Sequence, residues 1–449
     1  MRNNVYPLVL ILLIYGVVAT LFATRIPAWQ VPDEPAHYNY TRQLAQTGQF
    51  PVIEPSDWNA QFNPPGPKQR DIAYETLTYE DHQPPLFYAL AVPVFNLSGG
   101  SLTALRLWSV FISLFSLIFV YMTVRTIFPV QPWLAAFATA FMAFLPQRVH
   151  MMAGFNNDSL SEALIALVVL LCVRLIVDPK QDGPAKTGQL IALGVVTGLG
   201  LLTKAQAYLA LPLVGIAAWM ARARLARARL PRWALIGVPA IAVLIGVPWW
   251  LRNLSLFGGT DFLGLQRHDV VVAGQMTSTQ LIAKLSLGGY LRELLQTTFQ
   301  SFWGQFGWMS IPIDRRLYIV LLAFTLGSAV LFMLWWGADR RQTLRQAQGR
   351  LDDGRWMSSQ QAQALTLLAC LTLGAVLAFV WYNTKFVQFQ GRYLYPGLLG
   401  IAMMFTLGLH HALARWPSLQ RWLWLPFTLG FAGFDVYLLL RVILRAMQV

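Results

Sequence analysis

Cysteine is nearly missing from this sequence, charge is sparse, and acidic residues are the rarer of the two signs. The 449 residues include two cysteines, Cys172 and Cys370, both inside apolar runs, which leaves no basis for a disulfide framework or a thiolate metal site. Charged residues make up 12% of the chain against 56% hydrophobic, a balance that excludes an ordinary soluble domain. Asp and Glu number 20 against 34 Lys and Arg, for a net charge of +14. The dense basic clusters sit in short loops between apolar runs, where membrane orientation accounts for them, so no nucleic-acid partner is expected. There is no internal repeat.

What the sequence does have is long apolar runs. A membrane-crossing helix needs about 20 apolar residues, and about eleven stretches qualify: 6–24, 105–124, 133–147, 159–177, 188–202, 205–220, 233–250, 317–337, 362–382, 393–409 and 422–440. The expected fold class is therefore an all-α polytopic membrane protein, a single transmembrane catalytic domain over 1–449. The run 84–97 is short and contains Pro93, so it reads as a juxtamembrane helix. That reading puts two Arg-rich loops in the cytoplasm, one with Arg222, Arg224, Arg227, Arg229 and Arg232, the other with Arg340, Arg341, Arg345, Arg350 and Arg355. Two polar segments, 25–104 and 252–316, then form large loops on the outer face. The expected location is the plasma membrane, with the polar chemistry facing the extracytoplasmic side.

Acidic and basic side chains recur at that outer boundary. The first loop opens on Val31-Pro32-Asp33-Glu34-Pro35-Ala36-His37. Two adjacent carboxylates near a membrane are costly to desolvate; they serve either as a general base or as the N-cap of the helix that follows. The loop closes on Tyr79-Glu80-Asp81-His82-Gln83-Pro84-Pro85, where Asp81 and His82 either bind a metal or phosphate or are a solvated loop end. Asp158 starts an apolar run and reads first as a helix cap. Lys204 interrupts a hydrophobic hairpin at its outer turn, either snorkelling or holding an anionic head group. Arg392, followed by Tyr393, stands at the mouth of the tenth run, as a phosphate fork or an interfacial anchor. Arg106, Arg148 and Arg252 are placed at the same level and would complete a cationic rim. The segment Ser301-Phe302-Trp303-Gly304-Gln305-Phe306-Gly307-Trp308 concentrates aromatics in the second loop, for packing or for sugar stacking.

Taken in order, these pieces resemble the GT-C superfamily of integral-membrane glycosyltransferases. They are the Asp33-Glu34 pair, Pro84-Pro85-Leu86-Phe87-Tyr88, Asn157-Asp158, Leu202-Thr203-Lys204, Pro248-Trp249-Trp250-Leu251-Arg252-Asn253 and Gly391-Arg392-Tyr393-Leu394-Tyr395-Pro396. The nearest branches by motif are the protein O-mannosyltransferase, aminoarabinose transferase and rhizobial galacturonosyltransferase-like ones. The resemblance implies a GT-C-like bundle with juxtamembrane helices in two outer loops. It also implies a lipid bilayer, a polyprenyl-phosphate-linked sugar donor, and a glycan, lipid or protein acceptor. Under it, Asp33 matches the first-loop catalytic acid, a candidate base in an inverting transfer, and Glu34 its companion. Asp158 matches a further acidic position, and Lys204, Arg392 and Arg252 offer charge for the carrier phosphate. Gln83 departs from the pattern, standing where the aminoarabinose enzymes have Lys and the mannosyltransferases His. A divalent metal on Asp33, Asp81, His82 or Asp158 is a further expectation that no spacing demands. Two rivals stand beside this reading, a lipid-carrier flippase or transporter and a non-catalytic lipid-binding member of the same fold. Transporters usually carry ionisable groups in mid-span, and here few do, Asp435 among them.

Overall fold

The computed structural model describes residues 5–58, 73–177, 184–227, 233–347 and 357–447. In chain order the helices are α1 (Tyr6–Arg25), α2 (Glu34–Thr47), α3 (Leu86–Leu97), α4 (Leu102–Ile127), α5 (Pro132–Ala143), α6 (Pro146–Met152), α7 (Asp158–Val177), α8 (Pro184–Leu201) and α9 (Ala210–Arg227). They continue with α10 (Trp233–Phe257), α11 (Leu265–Val271), α12 (Ser278–Trp303), α13 (Arg315–Ala347), α14 (Ser359–Tyr382), α15 (Leu398–Ala412), α16 (Pro417–Trp422) and α17 (Trp424–Tyr437). The strands β1 (Gln305–Phe306) and β2 (Ile311–Pro312) form a short antiparallel hairpin between α12 and α13.

Each of the eleven expected crossings falls on a helix. Among the described residues, eight helical segments are long and apolar enough to cross a membrane, those built on α1, α4, α7, α10, α13, α14, α15 and α17. The other three expectations fall on α5, α8 and α9. The 133–147 expectation needs correction: the apolar run is continuous in sequence, but Pro146 has no N–H to carry a helix onward, so α5 ends at Ala143 and α6 starts afresh. At 12 residues α5 is only about 18 Å long. It is buried on every side from Trp133 to Ala143, the mark of a central core helix and not of one facing lipid. The restart as α6 turns Arg148 and His150 into the protein interior.

Helices pack closely where side chains are small. Gly194 and Gly198 of α8 face Ile241, Ala242 and Ile245 of α10, where an added Cβ would collide. The outward side of α13 shows Ile319, Val320, Leu326, Val330 and Met333, an apolar belt suited to lipid. Of the basic residues expected in the cytoplasm, Arg222 lies over the Trp219 ring at 4.4 Å. The side chains of Arg224, Arg227, Arg229, Arg232, Arg340, Arg341, Arg345, Arg350 and Arg355 lie outside the described residues.

The two long polar segments pack on each other in one layer. Trp58 Nε1 donates to the Ala273 carbonyl at 2.9 Å, and Trp308 Nε1 to the Trp29 carbonyl at 2.9 Å. Arg252 Nη2 donates to the carbonyls of Phe50 and Pro51, the latter at 2.6 Å. Thr277 pairs with Phe386, which ties the start of α12 to the α14–α15 connection.

Candidate active site

The turn before α2 separates the two adjacent carboxylates. Asp33 sits between Pro32 and Pro35 with φ +66°, a left-handed conformation that a non-glycine residue adopts at a cost of about 1 kcal/mol or more. The turn sends Glu34 inward to Arg106 and Asp33 toward Arg392. Asp33 occupies the N-cap position of α2, yet its side chain makes no capping bond. Its Oδ2 pairs with Arg392 Nη2 at 2.6 Å, and its Oδ1 accepts from the Tyr79 hydroxyl at 2.9 Å. Burial pushes the Asp33 carboxyl up. The Arg392 guanidinium, the nearby His37 and the two hydrogen bonds outweigh burial and hold it below its ordinary value. Tyr79, buried beside the Asp33 carboxylate, is correspondingly pushed well above the usual phenol range.

Glu34 has a different partner. Arg106 Nε donates to Glu34 Oε1 at 2.7 Å and Arg106 Nη2 to Oε2 at 2.6 Å. The backbone N–H groups of Phe155 and Trp29 complete the two oxygens. The remaining Arg106 donors go to the carbonyls of Ala23, Ile26 and Pro27. This pair is closed to solvent, with side chains 0% and 3% exposed, whereas Asp33 is 23% exposed. It joins the end of α1, the first loop, α4 and the α6–α7 turn. Glu34 therefore stands apart from the Asp33–Arg392 pair.

A second ion pair faces the first. Asn156 Oδ1 accepts from the Asp158 N–H at 3.0 Å and so takes over the helix-capping role, which frees the Asp158 carboxylate. Asp158 Oδ1 pairs instead with Lys204 Nζ at 2.5 Å, both side chains partly exposed. Lys204 is held in place from behind. The first N–H of α3, at Leu86, donates to the Leu202 carbonyl at 2.9 Å, and Asn157 Nδ2 donates to the Thr203 carbonyl at 3.2 Å. Asp158 and Arg392 line the same narrow cleft together with Met151, Gln206 and Tyr395.

Arg392 reaches that cleft because Gly391 lies directly on α12. Gly391 N–H donates to Ser301 Oγ at 2.7 Å, and any Cβ on Gly391 would collide with the Thr298 carbonyl and the Phe302 N–H. Arg392 covers the Tyr393 ring at 5.4 Å, and its buried Nε has no partner among the described residues. Gly391→Ala is expected to lift this turn off α12 and lower the melting temperature by several degrees, read by thermal unfolding in detergent; an unchanged melting temperature would count against this packing.

The structure brings together Asp33, Asp158, Lys204, Arg392 and Tyr393. Asp81, His82 and Arg252 take no part in these ion pairs, although His82 lies within electrostatic reach of His37 and Lys204. Burial, with Asp57 and Glu80 nearby and Arg252 opposing, pushes the Asp81 carboxyl up to about 8, and its buried Oδ1 has no partner among the described residues. The His82 ring lies against that of His268, tilted by 45° with centroids 4.4 Å apart; burial first, then His268, hold its imidazole well below the usual range. Arg252 lies over Trp249 at 4.4 Å with its guanidinium bonded to the 50–51 carbonyls. The expected cationic rim is thus reduced: Arg106 is spent on Glu34, Arg252 on backbone carbonyls, and Arg148 on Glu162 at 2.7 Å inside the bundle. Among the described residues no three His, Cys, Asp or Glu side chains come together as a metal site. Of the four expected ligands, Asp33 and Asp158 are each taken up by a cation, while Asp81 and His82 make other contacts.

Asp81 also gives a pH test. Its folded-state pKa lies above the unfolded one, so the fold binds this proton more tightly, and stability falls as pH rises from the unfolded value toward about 8. Asp81→Asn is expected to abolish that slope, melting several degrees higher than wild type at pH 8 to 9 in thermal unfolding; identical curves would contradict it.

His37 and Tyr79 were not singled out from sequence. The signal for His37 was its position four residues after Asp33, one helical turn on; nothing in the sequence pairs Tyr79 with Asp33.

Residues 66–401 match the model of one protein family, described as "Predicted membrane protein (DUF2142)". The chain belongs to this family. No curated protein matches the DUF2142 chain. Among solved structures it is similar to ArnT from Cupriavidus metallidurans bound to undecaprenyl phosphate, at 15% identity and TM-score 0.52, over 99% of this chain and 74% of that one. It is also similar to the Archaeoglobus fulgidus oligosaccharyltransferase in complex with zinc and sulfate, at 15% identity and TM-score 0.50. That match covers 97% of this chain and 52% of the archaeal one, so the DUF2142 chain spans about half its length. At such identities the likeness is one of fold. The DUF2142 protein has the GT-C membrane fold.

Proposed function

We propose that this protein is a glycosyltransferase that moves a sugar from a polyprenyl-phosphate carrier to an acceptor hydroxyl at the extracytoplasmic face. The observation that carries the reading is a pair of neighbouring cations, Arg392 and Lys204, each neutralised by a carboxylate that a lipid phosphate can displace, with Arg392 and Asp158 lining one cleft. A GT-C neighbour with undecaprenyl phosphate bound supports the choice of carrier. The Arg-rich loops at 221–232 and 338–360 support an outward-facing cleft, since they belong on the cytoplasmic side.

The proposed reaction is a single displacement at the anomeric carbon with inversion. The phosphate of the carrier binds between Lys204 and Arg392, whose unpaired Nε gives it a ready donor. Negative charge grows on that phosphate as its bond to the sugar breaks, and fixed cations stabilise it most at that moment. Arg392 cannot serve the phosphate and Asp33 equally. When the phosphate takes Arg392, Asp33 loses the cation that holds its proton affinity down and turns to the incoming hydroxyl. In this reading Asp33 orients the acceptor and draws on its proton, Asp158 positions Lys204, and Glu34 holds the turn and is not a catalytic companion. The acceptor is a glycan, lipid or protein hydroxyl.

The test is incubation of the purified protein in liposomes with polyprenyl-phosphate sugars labelled in the sugar. Release or transfer of label is the expected result. Binding without turnover would instead indicate a lipid-binding scaffold, and neither binding nor turnover a transporter of other cargo. Lys204→Ala is expected to weaken undecaprenyl-phosphate binding about tenfold in the same membranes, with the loss smaller at high salt as screening removes the charge contribution. Unchanged binding would remove Lys204 from the site.

A further inference from the structure

His37 lies one helical turn beyond Asp33 on α2 and belongs to neither ion pair of the cleft. Its ring is 2% exposed and shares a hydrogen bond from Nδ1 with the Tyr88 hydroxyl at 2.8 Å. Tyr88 is itself held by stacking on Tyr40, with ring centroids 3.7 Å apart. Its hydroxyl is 3.5 Å from Asn157 Nδ2, which donates to Gln83 Oε1 at 3.2 Å, and Gln83 donates on to Glu80 at 2.7 Å. The δ side of the imidazole is thereby fixed. The ε side differs: Nε2 has no hydrogen-bond partner among the described residues and, unlike both ring nitrogens of His150, is not sealed from solvent.

The charged groups around this ring come from every neighbouring element. They are Asp33 at the start of its own helix, Glu80 and the titratable His82 from the first loop, Asp158 from α7 and Lys204 from the turn after α8, with the neutral Tyr88 from α3. Burial and Lys204 push the imidazole below its ordinary value against the pull of the three carboxylates, so the ring is neutral at neutral pH. In the tautomer that donates Nδ1–H to the Tyr88 hydroxyl, the lone pair rests on Nε2. Asp33 is less suited to end up with a proton, because the Tyr79 hydroxyl still donates to one of its oxygens when Arg392 turns to the phosphate.

We propose that His37 is the group that takes the acceptor's proton during sugar transfer, while Asp33 orients the hydroxyl. This deepens the function proposed above and rests on it. The acceptor oxygen forms its bond to the anomeric carbon as the bond from that carbon to the carrier phosphate breaks, the electron pair leaving with the phosphate. The acceptor proton passes to His37 Nε2. The imidazolium formed is stabilised by Asp33, Glu80 and Asp158 and returns its proton to water when product leaves.

The experiment compares wild type with His37→Ala and the volume-conserving His37→Gln in liposomes, using labelled polyprenyl-phosphate sugar, with undecaprenyl-phosphate binding measured in parallel. The expected result is a loss of turnover of about 100-fold in both variants with binding unchanged. Added imidazole restores turnover in His37→Ala but not in His37→Gln, where no space is left. The wild-type rate falls as pH drops through the imidazole pKa, which lies below the ordinary histidine value. The acid limb of the rescued variant follows the added base instead. Turnover within threefold of wild type in either variant, or a loss that small bases never restore in a protein that still binds lipid, would overturn the assignment. If wild type binds the lipid and transfers nothing, the failure lies with the transferase reading, and the role of His37 falls with it.

Discussion

Asp33→Asn is expected to lower sugar transfer by about 10³-fold while leaving the melting temperature close to that of wild type and the affinity for undecaprenyl phosphate equal or higher. The sign of the affinity change follows from the site. The substituted amide keeps the size of the side chain and can still accept from Tyr79, but it no longer competes for Arg392, whose guanidinium becomes fully available to phosphate. Loss of turnover with undiminished binding separates the chemical role of Asp33 from a structural one. The measurement is a rate assay and a lipid titration on the same preparation. An Asp33→Asn variant that transfers sugar at the wild-type rate would remove Asp33 from the reaction.

The neighbouring residue should fail in the opposite way. Glu34→Ala leaves Arg106 buried with no counter-charge and two backbone N–H groups unpaired, a change that typically costs about 3–5 kcal/mol. The expected outcome is a large drop in folded yield and melting temperature, not a purely catalytic defect, read by thermal unfolding in detergent. Replacing both partners, Glu34→Leu with Arg106→Leu, should recover much of that stability, because an apolar pair carries no uncompensated charge. A Glu34→Ala protein that is stable and inactive would instead assign Glu34 to catalysis.

The contrast between these two residues also marks what the sequence makes legible. The membrane class and the eight helices long and apolar enough to cross, among the described residues, follow from apolar runs, a local property. The break at Pro146 was present in the sequence, but the apolar residues on either side conceal that α5 is a central helix wrapped by others. Adjacent carboxylates announce a strained environment without saying which faces the cleft; the left-handed backbone at Asp33 decides that, and it is set by packing of the loop layer. Arg106, Arg252 and Arg392 look alike as interfacial arginines. Only tertiary contacts show that the first holds Glu34, the second holds backbone carbonyls, and the third faces the cleft. Lys204 and Asp158 are 46 residues apart and Asp33 and Arg392 are 359 apart, separations for which no spacing rule exists. The short motifs located the candidates, and the fold sorted them.

The most direct test of the account is a structure of the protein in a lipid nanodisc with undecaprenyl phosphate bound. The account expects the phosphate between Lys204 and Arg392, with the Arg392–Asp33 and Lys204–Asp158 contacts lengthened and the Glu34–Arg106 pair unchanged. A phosphate seated outside this cleft, with both ion pairs intact, would contradict it.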